Sequence, residues 1–139
     1  MNNPNELYHF GVKGMRWGVR RTPEELGRAD YSKTTKKLRK YGKKIESNKR
    51  RSAKYAFKSS KYKLKAQKAW TEKGFVRKSR KAVKLEYKAN KANLKANRYE
   101  TKGQNKAKKL VEKYKDLPAG TIDSEQMAYV ERWINKSWT

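Results

Sequence analysis

Residues 32–115, SKTTKKLRKYGKKIESNKRRSAKYAFKSSKYKLKAQKAWTEKGFVRKSRKAVKLEYKANKANLKANRYETKGQNKAKKLVEKYK, decide the fold. This stretch has no proline and is rich in Ala, Lys, Leu and Arg, which are strong helix formers. It holds 32 of the 39 basic residues but only five acidic ones, so its net charge is +27 against +26 for the whole chain. The composition predicts long α-helices, and the charge predicts a polyanionic partner.

A seven-residue repeat predicts which face of the first helix packs. One position of the repeat holds mostly small or aliphatic residues: Leu38, Ile45, Ser52, Ser59 and Ala66. The other is rich in tyrosine: Tyr41, Asn48, Tyr55, Tyr62 and Ala69. Spacings of three and four keep both positions on one face of a helix. We expect one helix from about Ser32, as its N-cap, to Trp70, with Gly42 as a weak point.

The glycine at position 74 predicts a tight turn between two helices at about residues 71–75, with Trp70 and Phe75 closing the apex. The second helix is expected from Val76 to Tyr114. Its packing stripe is mostly of small residues: Ala82, Leu85, Ala89, Ala92, Ala96, Tyr99, Gly103 and Leu110. A neighbouring stripe should widen this face: Val83, Tyr87, Asn90 and Leu94. The predicted fold is therefore all-α, an elongated antiparallel helical hairpin, or one continuous rod if the chain does not turn at Gly74.

Shorter segments flank the hairpin, and we divide the chain into residues 1–31, 32–115 and 116–139. Thr22 and Pro23 are typical of a helix start, and Gly27 should end this short helix. After the break at 118–120, Thr121 or Asp123 can cap a C-terminal helix. Its apolar face consists of Ile122, Met127, Val130, Trp133 and Ile134. This helix should fold back on the base of the hairpin, near the N-terminal aromatic residues; the alternative is insertion into a groove of an oligomer or capsid protein.

The composition limits the class of protein. A chain of 139 residues with 35% hydrophobic residues and a mean hydropathy of −1.29 has little apolar surface for a globular core. We expect one elongated helical unit, or a chain that orders only on binding. Neither a transmembrane run nor a secretory signal is recognisable, and cysteine is absent.

Catalytic chemistry is not indicated. His9 is the one histidine, and without cysteine it cannot form a metal cluster of the usual type. The acidic residues of the central segment are widely separated, which argues against a paired-carboxylate site. Gly11, Gly14 and Gly18 do not form a Walker or dinucleotide-binding loop, because no strand precedes them and no helix N-terminus follows at the right place. We therefore predict a non-enzymatic protein without a cofactor.

Nucleic acid is the first candidate partner, ahead of an anionic membrane surface. Lysine outnumbers arginine in the central segment, and lysine suits phosphate contact better than bidentate base recognition. We expect non-specific binding, to duplex DNA first, with a salt slope of about −9 if about ten cations contact phosphates. Five tyrosines could also stack on single-stranded bases, although their heptad placement favours packing in the seam for most of them: Tyr41, Tyr55, Tyr62, Tyr87 and Tyr99. The expected phosphate contacts are Lys36, Lys37, Arg39, Lys40, Lys43, Lys44, Lys49, Arg50, Arg51, Lys54, Lys58, Lys61, Lys63, Lys65, Arg77, Lys78, Arg80, Lys81 and Lys84.

The N-terminal segment has a different composition, LYHFGVKGMRWGVRR over residues 7–21. Aromatic and arginine side chains dominate binding hot spots, and glycines allow close backbone approach. We predict that this segment docks on another protein, and packing onto the chain's own helices is the equal alternative. A weaker alternative is contact with DNA through Trp17 and the arginines at positions 16, 20 and 21. The expected docking residues are Tyr8, Phe10, Gly11, Gly14, Met15, Trp17, Gly18 and Arg20.

The run YHFGVKGMRWGVRR resembles the YHxGVKGMKWGVRR signature of short basic proteins encoded by tailed phages and prophages; Arg16 stands where the signature has lysine. The resemblance covers about residues 7–27. It implies a phage or mobile-element origin and a place in or near the virion, and it implies no catalytic residues.

Together these features suggest a virion-associated protein that binds DNA through its hairpin and docks on a phage structural protein through its N-terminus. It would occupy the particle interior, and the host cytoplasm during assembly, and it could self-associate. The alternative is a capsid assembly or scaffolding factor whose basic helices contact acidic protein surfaces. A membrane-active role ranks last, because bulky apolar residues are too few for insertion.

Overall fold

The computed structural model describes residues 21–136, and that part of the chain forms three helices. They are α1 (Pro23–Gln67), α2 (Glu72–Lys113) and α3 (Ser124–Ile134). α1 and α2 pack along each other as an antiparallel hairpin, and α3 packs against both. At 1.5 Å per residue, the 45 residues of α1 extend roughly 65 Å. The all-α hairpin predicted from the sequence is confirmed.

The first helix begins where the capping residues predict and ends much later. The Glu25 backbone N–H donates to Thr22 Oγ1 at 3.2 Å, and Pro23 occupies the first turn. The predicted end near Gly27 and the predicted restart at Ser32 are wrong, because α1 passes through both residues. Gly27 serves close packing instead: it is buried, and a Cβ there would come within 2.6 Å of Leu117 Cδ1.

The turn at the tip of the hairpin lies earlier than predicted. α2 starts at Glu72 rather than Val76, because Thr71 is its N-cap and accepts a hydrogen bond from the Gly74 backbone N–H at 3.1 Å. Gly74 therefore belongs to the first turn of α2. The predicted closure of the apex is wrong as well, since Trp70 is fully exposed and Phe75 is about half exposed.

The seven-residue repeat of α1 forms the seam of the hairpin, as predicted. Leu38 and Ile45 are fully buried, and the tyrosine-bearing position is half-buried. Opposite them, α2 contributes small buried residues: Ala82, Ala89, Ala92, Ala96, Gly103 and Ala107. Small side chains let the two helices approach closely. The buried Ser59 Oγ donates to the Ala82 carbonyl oxygen at 2.9 Å. This hydrogen bond joins α1 to α2 in the half of the hairpin that is nearer the turn.

The second stripe predicted for α2 is not part of this seam. Val83, Tyr87, Asn90 and Leu94 are all exposed. α2 has a single long partner, α1, and a helix buries one stripe against one partner. The prediction that these residues widen the packed face is wrong.

The C-terminal helix covers one side of the hairpin near its open end. Asp123, not Thr121, is its N-cap, and the Glu125 backbone N–H donates to Asp123 Oδ1 at 3.4 Å. Val130 and Trp133 are fully buried, whereas Met127 is 40% exposed, contrary to its predicted place on the packed face. The predicted return of this helix to the hairpin is confirmed. Its predicted proximity to the N-terminal aromatic residues falls outside the described residues.

Candidate nucleic-acid interface

Two rows of cations border the seam, one on each long helix. The seam residues of both helices recur every seven positions, so cations with the same period stay on one side of the seam. The row on α1 consists of Lys37, Lys44, Arg51, Lys58 and Lys65. The row on α2 consists of Lys81, Lys88, Lys95, Lys102 and Lys109. All ten side chains are exposed. We call these the inner rows.

A groove shows that the inner rows lie side by side. It has a volume of about 460 Å³ and crosses the middle of the hairpin. Five cations from both helices line it, together with Ser47, Asn48 and Tyr99: Lys44, Arg51, Lys95, Arg98 and Lys102. No carboxylate is among the lining residues. The groove is thus a concave, positively charged surface of the kind that attracts anions.

Tyrosines of the seam lie beneath the ammonium groups along this side of the hairpin. Lys44 Nζ from α1 and Lys102 Nζ from α2 lie 5.0 Å and 5.9 Å from the centre of the Tyr99 ring. Further towards the tip, Lys88 Nζ lies 5.8 Å from the centre of the Tyr55 ring. These distances are within the range of cation–π attraction.

Tyr62 continues the pattern near the tip. Lys65 Nζ and Lys81 Nζ lie 5.2 Å and 4.6 Å from the centre of its ring, so one ring contacts a cation of each inner row. The hydrogen bond with Lys81, aided by the nearby positive charge, lowers the pKa of the Tyr62 hydroxyl. The tyrosines therefore tie the two rows together across the seam.

Eight further exposed cations lie next to the inner rows, on the side of each row that is away from the seam. On α1 and its C-cap they are Lys40, Lys54, Lys61 and Lys68; on α2 they are Arg77, Lys84, Lys91 and Arg98. We call these and the inner rows together the cationic face, which has 18 basic residues. Its length from Lys37 to Lys65 is roughly 42 Å at 1.5 Å per residue.

Most carboxylates of the hairpin lie away from the cationic face. Glu46, Glu86 and Glu100 occupy heptad positions on the opposite side of the seam, where Glu86 Oε2 pairs with Lys63 Nζ at 3.3 Å and Glu46 Oε1 with Arg50 Nη2 at 2.5 Å. Asp30 and Glu112 stand at the open end, just beyond the cationic face, and pair with Lys113 and Lys115. At the tip, Glu72 lines a groove with Arg77, Lys81 and Lys84 of the cationic face. The acidic residues thus border the cationic face at both ends, and its central groove contains none.

The opposite face is nearly neutral. Between residues 39–63 of α1 and 76–107 of α2 it holds three basic residues, Arg39, Lys49 and Lys63, and the three glutamates at 46, 86 and 100. Near the base α3 covers it, since Tyr129 lies under the Arg39 guanidinium and Trp133 lies against Gly42 and Gly103. The hairpin therefore has two electrostatically different sides.

Many of the basic residues expected at the interface lie on the cationic face: Lys37, Lys40, Lys44, Arg51, Lys54, Lys58, Lys61, Lys65, Arg77, Lys81 and Lys84. Others point outwards, away from the seam: Lys36, Lys43, Arg50 and Arg80. Arg39, Lys49 and Lys63 lie on the opposite face, and Lys78 is half-buried at the seam. The prediction missed seven members of the cationic face: Lys68, Lys88, Lys91, Lys95, Arg98, Lys102 and Lys109. For the six in α2, the seven-residue spacing was the sequence pattern that could have identified them.

The predicted docking residues, from Tyr8 to Arg20, lie outside the described residues. Within residues 21–136, no group of His, Asp or Glu is arranged to hold a metal ion. None of the three helices has a stretch long and apolar enough to cross a bilayer.

Comparison with known proteins informs the N-terminal segment alone. Residues 2–24 match a family of unknown function, DUF7211, and this range includes the whole glycine- and aromatic-rich run of residues 7–21. No curated protein and no solved structure matches the chain. The similarity to this family thus extends only to the segment that precedes α1 and to the first residues of α1 itself.

Proposed function

We propose that this protein binds nucleic acid, duplex DNA above all, without sequence preference, through the lysine-rich hairpin. The observation that supports the proposal best is the cationic face, with 18 exposed basic residues and no carboxylate among them. Cations aligned in this way neutralise phosphates and release the counterions condensed on them. Counterion release gives an affinity that falls steeply with salt.

The side-chain chemistry favours contact with the backbone over base readout. Of the 18 cations, Arg51, Arg77 and Arg98 are the three arginines, and the others are lysines. Bidentate recognition of guanine uses the planar guanidinium, whereas the lysine ammonium acts as a point charge on phosphate. Binding should therefore be nearly equal for unrelated sequences of the same length.

We propose further that the protein works in or near a phage particle, non-enzymatically, and that residues 7–21 dock it on a structural protein. Support comes from the resemblance of the N-terminal run to the phage signature and from its separation in composition from the basic hairpin. In this arrangement the N-terminus determines where the protein resides, and the hairpin contacts the genome. The protein would be found in the particle interior and, during assembly, in the host cytoplasm.

Fluorescence anisotropy with two unrelated duplexes of equal length tests the DNA-binding part. We expect closely similar affinities for the two at low salt, and absence of binding would contradict the proposal. Mass spectrometry of purified particles tests the location. Deletion of residues 7–21 should remove the protein from particles and leave DNA binding unchanged; loss of DNA binding in this variant would contradict the division of roles.

The second candidate function is that of an assembly or scaffolding factor. It is favoured by the same cationic face, because lysine ammonium groups pair with carboxylates as readily as with phosphates. In that case the hairpin would bind an acidic capsid protein at physiological salt more tightly than it binds duplex DNA. A competition experiment between the two partners separates these functions.

A further inference from the structure

We propose that nucleic acid binds on one side of the hairpin only, that the groove between Lys44 and Lys102 anchors its phosphates, and that the preferred ligand is a duplex. This inference rests on the proposed nucleic-acid binding and goes beyond it by assigning the surface. Net charge alone would predict contact all round the hairpin, since basic residues occur on every side of both helices.

The groove is formed by residues of both long helices. Lys44 and Arg51 approach from α1, and Lys95, Arg98 and Lys102 approach from α2. Two packed helices therefore hold these five cations around one concavity of about 460 Å³, with the Ser47 hydroxyl as an additional hydrogen-bond donor. Contributions from two rigid elements fix the spacing of the cations in advance, which reduces the entropy lost on binding.

The remaining cations extend the groove towards both ends of the hairpin. The inner rows run side by side on two packed helices for roughly 42 Å, which corresponds to about 12 base pairs of duplex at 3.4 Å each. A duplex is a stiff polyanion with a persistence length of about 50 nm. A row of cations carried by two packed helices can therefore follow it with little loss of ligand entropy.

Tyrosine placement argues against single-stranded ligands. Tight binding of single strands relies on aromatic rings that stack on bases. Tyr55, Tyr62 and Tyr99 are half-buried in the seam, and lysine ammonium groups lie over their rings at 4.6–5.9 Å. These rings support the cations and are not open platforms for bases.

The opposite side of the hairpin does not compete for the same ligand. Its three cations are balanced by three carboxylates, one of which pairs Lys63 at 3.3 Å. α3 covers the part of this side near the base through Trp133 and Tyr129. Electrostatics therefore directs a polyanion to the cationic face.

Two variants of equal charge test the inference in the full-length protein. The groove variant changes Lys44, Arg51, Lys95, Arg98 and Lys102 to Gln. The control variant changes five exposed cations away from the cationic face to Gln: Arg28, Lys36, Lys49, Lys108 and Arg132. Each removes three lysines and two arginines. Circular dichroism checks that both retain the helical content of the wild type.

The readout is the slope of log affinity against log salt for a random-sequence duplex. We expect the groove variant to lose about 4.5 units of slope and the control variant less than one, because each of the five lost phosphate contacts removes about 0.9. Equal losses would overturn the one-sided inference and leave the proposed function standing. Failure of the wild type to bind would instead overturn the proposed function.

A separate measurement tests the choice of ligand. The wild type should bind the duplex more tightly than either separated strand at equal phosphate concentration and equal salt. Tighter binding of the single strand, together with quenching of tyrosine fluorescence by its bases, would overturn the assignment of a duplex.

Discussion

The indole of Trp133 lies directly on Gly103. A Cβ at position 103 would come within 2.5 Å of Trp133 Cε3, so only glycine leaves room for the ring. Trp133 is fully buried although it lies near the C-terminus, and its ring fills the space that a side chain of α2 would otherwise occupy. This contact joins α3 to the hairpin on the side away from the cationic face.

Removal of the Trp133 ring should destabilise the protein. Replacing Trp133 by Ala leaves a large cavity between α3 and α2, and buried Trp→Ala changes cost about 3–5 kcal/mol. Urea denaturation followed by circular dichroism measures the loss. Trp70→Ala is the matched control, because Trp70 is fully exposed at the turn and its removal should change stability by less than about 0.5 kcal/mol. Equal effects of the two substitutions would contradict the packing described.

Small residues at the seam set the distance between the two long helices. Ala96 is fully buried where α1 and α2 meet. A leucine there should force the helices apart and cost about 1–3 kcal/mol. Ala56→Leu introduces the same side chain at an exposed position of α1 and should have little effect. Thermal unfolding of both variants provides the comparison, and an Ala96→Leu variant as stable as the wild type would contradict close packing at the seam.

Acidic pH should weaken the open end of the hairpin. Asp30 accepts hydrogen bonds from the Tyr114 hydroxyl and from Lys113 Nζ, the latter at 3.4 Å. The bond from Tyr114 lowers the pKa of Asp30 below its ordinary value of 3.8, and Lys113 adds to the effect against the opposing effect of desolvation. A carboxyl group with a lower pKa in the folded state stabilises the fold above its ordinary pKa, and this stabilisation is lost as the pH falls through the folded-state value.

The corresponding substitution is Asp30→Asn. It should lower stability at neutral pH by about 1 kcal/mol, since the carboxylate is partly exposed, and it should reduce the fall of Tm below pH 4. The exposed Asp116 provides the charge-matched control as Asp116→Asn. An unchanged pH profile in Asp30→Asn would show that the contact with Tyr114 contributes nothing to stability.

Alkaline pH tests the same contact from the other partner. The hydrogen bond to Asp30 raises the pKa of Tyr114 above its ordinary value of 10.0, and burial adds to this effect. Stabilisation by a group with a raised pKa is present below the ordinary value and is lost as the pH rises through the folded-state value. Tyr114→Phe should therefore reduce the loss of stability above pH 10, as measured by Tm. If the loss of Tm seen in the wild type above pH 10 is equally large in Tyr114→Phe, that loss arises from other titrating groups.

The seam of the hairpin could be predicted from the sequence because a heptad repeat is a local and periodic pattern. Leu38 and Ile45 gave the register of α1, and the alanines of α2 gave the complementary stripe. The helix limits could not be predicted in the same way. Gly27 is a helix breaker by propensity, yet the helix continues because Leu117 and Tyr114 pack against the bare Cα. Such tertiary contacts overrule local propensity.

The candidate interface was only partly predictable for a related reason. Lysines occur all round both helices, so composition does not indicate which of them share a surface. The antiparallel pairing brings Lys44 and Lys102 over the same ring of Tyr99, and this long-range relationship is absent from any local pattern. Conversely, Arg39 and Lys63 are basic like the residues of the cationic face, but they lie on the opposite face of the hairpin.

The most direct test of the proposed nucleic-acid binding is the salt dependence of affinity for a random-sequence duplex. If the cationic face contacts the phosphate backbone, the slope of log affinity against log salt should lie between about −4.5, for the five cations of the groove alone, and about −9, for ten contacts. An affinity that does not change with salt, or no binding at low ionic strength, would contradict it.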